Sequence, residues 1–146
     1  MAQSLRELVW QRANAICEYC QMPRQYDDLP FQIDHIIAEK HDGATSPDNL
    51  ALSCYYDNSY KGPNIAGIDP LTGALAALYH PRRDDWGIHF ECSGAEIVGL
   101  TPVGRATIQV LCMNLEERVA LRQALIDEGV FPPNSPRALK KSTPKA

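Results

Sequence analysis

Two short segments constrain this chain most. Cys17-Glu18-Tyr19-Cys20 has the two-residue gap of a zinc knuckle, and Cys54-Tyr55-Tyr56-Asp57 repeats that gap with a carboxylate in the last place. Thiolates and carboxylates spaced in this way can share one tetrahedral ion. A metal held by Cys17, Cys20, Cys54 and Asp57 would tie the first helix to the segment beyond residue 54, in a unit with few other apolar anchors. Three thiolates and a carboxylate would also bring excess negative charge to the ion. The competing reading is three reduced cysteines packed beside Tyr19 and Tyr55. Cys92 and Cys112 lack spaced partners and read as small buried hydrophobes.

The five cysteines are an odd number, and Met1-Ala2-Gln3-Ser4 lacks the basic-then-apolar pattern of a secretory signal. A disulfide framework is therefore not expected, and a cytoplasmic location is. No apolar run approaches the roughly 20 residues of a membrane helix. At 146 residues, with 45% hydrophobic and 22% charged residues, the composition is that of one globular domain. The expected boundaries are 1–130 for that domain and 131–146 for a flexible basic tail rich in proline and lysine. The net charge of −4 excludes general adhesion to a phosphate backbone, so any nucleic-acid surface must be local. Most Lys and Arg residues lie beyond residue 80, where such a surface is expected.

Ser4-Leu5-Arg6-Glu7 is a capping box, and Leu5, Leu8, Val9, Ala13 and Ile16 recur at helical spacing. A first helix is expected to about Ala15. Strands are expected over Phe31–Ile37, Asn49–Ser53, Ala74–His80 and Gly87–Cys92, with Asp57 or Asn58 capping a helix after the second. Thr101-Pro102 predicts a further helix start, and Asn114-Leu115-Glu116-Glu117 opens a last helix that Gly129 closes.

Between the two cysteine segments stands Ile33-Asp34-His35-Ile36, with Asn49 14 residues after His35 and Asn58 nine after Asn49, followed by Lys61-Gly62. Singly, each has an ordinary explanation: a turn aspartate, asparagine helix caps, a hydrogen-bonded core histidine. In this order they resemble the HNH endonuclease family over residues 17–62. The segment from Asp69-Pro70 through His80-Pro81-Arg82, Trp86, His89-Phe90 and Gly104-Arg105-Ala106-Thr107 is similar to an extension of small bacterial members.

The resemblance implies an α+β fold: a ββα-metal core with an N-terminal helix, a small C-terminal hairpin or sheet, and closing helices. It implies hydrolysis of DNA phosphodiester bonds. His35 would be the general base, a role suited to an imidazole near neutral pH. Asn49 would orient it. Asp34 and Asn58 would hold Mg²⁺ or Mn²⁺ through hard oxygens, while zinc would fill the cysteine site, where relatives commonly carry a fourth cysteine in place of Asp57. Neighbouring strand residues face opposite ways, so a bulge or strand end is expected if Asp34 and His35 serve one site. Lys61, Arg82, Arg83 and Arg105 are the candidate phosphate contacts, being the basic residues nearest the motif and its extension. His41 reads as solvated, and His80 and His89 as flanking a basic segment. The alternatives are a zinc-stabilised nucleic-acid-binding module without catalysis, and a protein-interaction domain with a decayed site.

Overall fold

The capping box at the N-terminus forms as the sequence predicts. In a computed structural model that describes residues 3–133, Ser4 Oγ accepts from the Glu7 N–H at 3.1 Å and Glu7 Oε1 accepts from the Ser4 N–H at 3.0 Å. Two N–H groups left over at a helix start are thereby satisfied. Helix α1 (Leu5–Ala13) follows. It stops before Ala15 because Asn14 and Ala15 both adopt φ of 55°, which no α-helix continues through.

Strands β1 (Gln32–His35) and β2 (Leu50–Ser53) pair antiparallel, with Gln32 opposite Ser53 and His35 opposite Leu50. Helix α2 (Tyr55–Lys61) leaves β2 after a single residue. Its cap is neither Asp57 nor Asn58 but Cys54, whose sulfur accepts the Asp57 N–H at 3.3 Å. Apolar burial runs to the end of β2, so Cys54 falls at the corner with the extended backbone of an N-cap, and Asp57 moves into the first turn.

The next strands differ from expectation in their partners. β3 (Ala66–Ile68) pairs with β4 (Leu75–Ala77) around a turn in which Asp69 accepts from the Leu71 N–H and the Thr72 hydroxyl. Residues 86–89, expected as strand from Gly87, form the short helix α3 (Trp86–His89), and β5 (Phe90–Ser93) pairs forward with β6 (Glu96–Gly99). The chain thus makes two local hairpins rather than one around Arg82-Arg83.

Helix α4 (Pro102–Leu111) starts on Thr101, whose Oγ1 accepts the Gly104 N–H. It packs on α2, β3, β4 and β6. Gly104 is required there, since a Cβ would stand 2.0 Å from the His89 carbonyl oxygen. Helix α5 (Glu116–Asp127) starts after Leu115, because the Asn114 side chain pairs with the Ile97 backbone instead of capping it. Gly129, at φ 78°, closes the helix.

Val9, Met22, Leu52, Tyr79, Trp86, Phe90, Leu111 and Leu125 form a continuous core. Phe131 joins it at 5% exposure, so packed chain extends past residue 130. Apolar burial decides this against the proline-rich composition that suggested a tail. Residues 134–146, which carry the rest of that predicted tail, lie outside the described residues. No helix among the described residues is long and apolar enough to cross a membrane.

Candidate functional site

Cys17 and Cys20 sit in the turn after α1, closed by the Cys17 N–H to the Met22 carbonyl at 2.9 Å and the Gln21 N–H to the Cys17 carbonyl at 3.0 Å. The start of α2 brings Cys54 and Asp57 to the same point. All four residues are buried, and their potential ligand atoms lie within 4.8 Å of one another, a group that could hold a metal ion. Cys20 and Cys54 Sγ are 3.8 Å apart, and the Cys17 thiol donates to Asp57 Oδ2 at 3.3 Å. Burial pushes the Cys17 and Cys54 thiols and the Asp57 carboxyl well up. Hydrogen bonds from Cys17 and Cys54 push the Cys20 thiol well down, aided by the positive charges of Arg118 and Arg122 on α5. Cys92 and Cys112 stand apart from this group and are only half-buried.

A second site opens at the end of β1. Asp34, His35 and Asn58 line one cleft of about 400 Å³ together with Glu39, Lys40 and Gly62. His35 is the last residue of β1, so the strand end anticipated from the two-residue period is present. Its Nε2 lies 2.9 Å from Thr45 Oγ1 and 3.9 Å from Glu39 Oε2. Asp34 points inward. Its Oδ2 accepts the Tyr19 hydroxyl at 2.6 Å, and Lys61 Nζ lies 3.3 Å from Oδ1 and 3.1 Å from Oδ2. Burial raises the Asp34 carboxyl above its usual range, opposed by the charge of Lys61 and the Tyr19 hydrogen bond.

The Asn49 side chain makes its hydrogen bonds to residues other than His35. Its amide oxygen accepts the Ile37 N–H at 2.9 Å, and its nitrogen donates to the Ile37 and Ala44 carbonyls at 2.9 and 2.8 Å. It therefore pins the loop between the two strands. The direct partner of the histidine is Thr45, next to the pinned Ala44. The Asn49 side chain thus bonds loop backbone and not the histidine it was expected to orient.

Three of the four expected phosphate contacts turn inward. Lys61 is 1% exposed and, besides Asp34, donates to the His35 and Ile36 carbonyls at 3.2 and 3.0 Å. Arg105 makes a bidentate pair with Asp69, both bonds 2.9 Å. Arg82 pairs with Glu18. Nearness in sequence to the motif gave no information on which way these long side chains point, and each found a carboxylate that burial had left in need of a cation. Arg83 is exposed. His80 is buried, its Nδ1 accepting the Arg82 N–H, and His89 Nδ1 lies 2.6 Å from Thr101 Oγ1.

Tyr19, Thr45 and Glu39 were not singled out from the sequence as site residues. Tyr19 had one available signal, its place between two candidate ligands. A larger hollow of about 620 Å³ between the Pro23–Tyr26 turn and Gly129–Pro133 contains none of the groups described above, so size alone does not mark the functional site.

Residues 17–64 match the family model described as HNH endonuclease. The matched span covers about a third of the 146 residues and contains the cysteine group, Asp34, His35, Asn49 and Asn58. No curated protein and no solved structure matches the chain.

Proposed function

We propose that this protein is a metal-dependent endonuclease that hydrolyses DNA phosphodiester bonds from a ββα-metal core, with residues 1–130 and the core residue Phe131 as one nuclease domain. The observation that carries the reading is the meeting of Asp34, His35 and Asn58 in one cleft at the end of the β1–β2 hairpin, inside the span that matches the family model.

His35 is the general base. With Nε2 donating to Thr45 Oγ1, Nδ1 presents a lone pair that takes a proton from the attacking water, whose oxygen bonds to phosphorus as the ester oxygen departs. Such a base contributes typically 10²–10⁴-fold. Asn49 keeps the loop that carries Thr45 in place. Asp34 and Asn58 offer hard oxygens suited to Mg²⁺ or Mn²⁺. A carboxylate has about four lone-pair positions, and Tyr19 and Lys61 leave Asp34 room for a cation. A divalent ion bound there supplies positive charge to the phosphate and the leaving oxygen.

The cysteine group fits zinc. Zn–S bonds of about 2.3 Å in a tetrahedron place sulfurs about 3.8 Å apart, which is the Cys20–Cys54 separation. Arg118 and Arg122, both buried, offset the excess negative charge of three thiolates and a carboxylate. The exposed Arg83 and the cleft-lining Lys40 are the phosphate contacts that this arrangement leaves available.

One observation favours the alternative, a zinc-stabilised nucleic-acid-binding module without catalysis: both Asp34 oxygens already have protein partners. Gel mobility shift with and without Mn²⁺ separates the two, paired with elemental analysis of protein purified without chelator. The nuclease reading expects DNA cut in the presence of Mn²⁺, protection by EDTA, and close to one zinc per chain. Shifted but intact DNA under all conditions would replace it with the binding module.

A further inference from the structure

The two groups that hold Asp34 come from the two segments that supply the cysteine cluster. Tyr19 lies between Cys17 and Cys20. Lys61 ends the helix whose cap is Cys54 and whose first turn carries Asp57. Tyr19 itself has no freedom of its own. It is completely buried, its ring meets Tyr79 edge-on at 6.4 Å, and its carbonyl accepts Trp86 Nε1–H at 2.7 Å. The adjacent Glu18 is stitched to β2, its N–H donating to the Leu52 carbonyl and its carboxylate accepting the Leu52 N–H, both at 2.9 Å.

A tyrosine side chain has two torsions, so a fixed backbone and a packed ring fix the hydroxyl. Ligation of Cys17 and Cys20 would set the turn, the turn sets the ring, and the hydroxyl stands 2.6 Å from Asp34 Oδ2. We propose that Tyr19 is a positioning residue that carries the geometry of the Cys17–Cys20 turn to the Asp34 carboxylate and thereby sets the affinity of the cleft for its divalent ion. This rests on the nuclease reading above. Partners behind a metal ligand are known to govern its orientation in this way, and their loss weakens metal binding by about 10–100-fold.

The probe is Mn²⁺, with the free ion measured by electron paramagnetic resonance in the absence of DNA. Tyr19→Phe keeps the ring and removes only the oxygen that reaches Asp34. It is expected to weaken Mn²⁺ binding about 10–100-fold while retaining the zinc content and cooperative melt of the unaltered protein. In a nuclease assay the lost rate should return as Mn²⁺ is raised, because the base is untouched. Asp34→Asn, measured alongside, is expected to abolish Mn²⁺ binding. Unchanged Mn²⁺ affinity in Tyr19→Phe, with binding lost in Asp34→Asn, would overturn the proposal and leave the nuclease reading standing. A Tyr19→Phe protein that has lost its zinc or its cooperative melt would also overturn it, by making the hydroxyl structural. Full Mn²⁺ binding by Asp34→Asn would instead defeat the reading of the cleft itself.

Discussion

The Lys61 ammonium lies 3.1 Å from the Asp34 carboxylate, and the two side chains are only 1% and 5% exposed. This pair joins the end of α2 to the end of β1 beneath the cleft, and the same ammonium holds the carbonyls of residues 35 and 36. Removing one partner of a buried pair leaves an uncompensated charge, a loss of about 3–5 kcal/mol. Lys61→Met should therefore lower the melting temperature by roughly 10–20 °C. It should leave the salt dependence of DNA binding unchanged, because a buried ammonium releases no counterions. Thermal melts and binding isotherms over a salt series check both. A stable variant with a shallower salt slope would place Lys61 at the DNA after all.

Thr45 is exposed, and its Oγ1 lies 2.9 Å from His35 Nε2, from which it accepts on the proposed reading. Thr45→Val should cost little stability, within about 0.5 kcal/mol as for surface changes elsewhere. Its cleavage rate should fall by about tenfold, part of the 10²–10⁴-fold that a general base supplies, and Thr45→Ser should restore it. Asn49→Ala should behave differently, since the Ile37 and Ala44 backbone groups lose their partner at about 1–3 kcal/mol. Single-turnover rates compared with melting temperatures distinguish the two patterns. Equal rates for Thr45→Val and the unaltered protein would remove Thr45 from the site.

Asp69 and Arg105 lie 36 residues apart, joined by two hydrogen bonds. The hydrogen bonds to Arg105 hold the Asp69 carboxyl well below its usual range, against the opposing effect of burial. A carboxyl with a depressed folded pKa adds stability that is fully present above its unfolded value, about 3.9, and that disappears as pH falls toward the folded value. Unaltered protein should accordingly lose melting temperature steadily below about pH 4–5, and Asp69→Asn should show a flatter profile from a lower starting point. Parallel profiles for the two proteins would show that this pair does not contribute to acid sensitivity.

The legible parts of this chain were those set by short-range chemistry. The Ser4–Glu7 capping box, the Thr101-Pro102 start and the Gly129 stop each act within one helical turn, and each stands where the sequence puts it. The cysteine group was legible too, because ligand spacing within each segment is local even though the segments are far apart. Strand partners were not. Ala66–Ile68 has little strand character, and Gly67 is there because a Cβ would come within 2.5 Å of Val110 on α4, a constraint that only the packed fold reveals. Inward-turning Lys61 and Arg105 were missed for the same reason: their partners are carboxylates chosen by burial rather than by spacing. His35 and Asp34 were singled out by type and order, whereas Tyr19 and Thr45, which hydrogen-bond to them, belong to no spaced pattern.

Loss of the base tests the central claim most directly. His35→Ala should retain DNA affinity within a few-fold and lose at least roughly a hundredfold in the rate of Mn²⁺-dependent plasmid nicking, since the proposed reading makes its imidazole the proton acceptor in the cleft and not a phosphate contact. Full nicking activity in His35→Ala, in a preparation shown free of contaminating nuclease, would contradict the account.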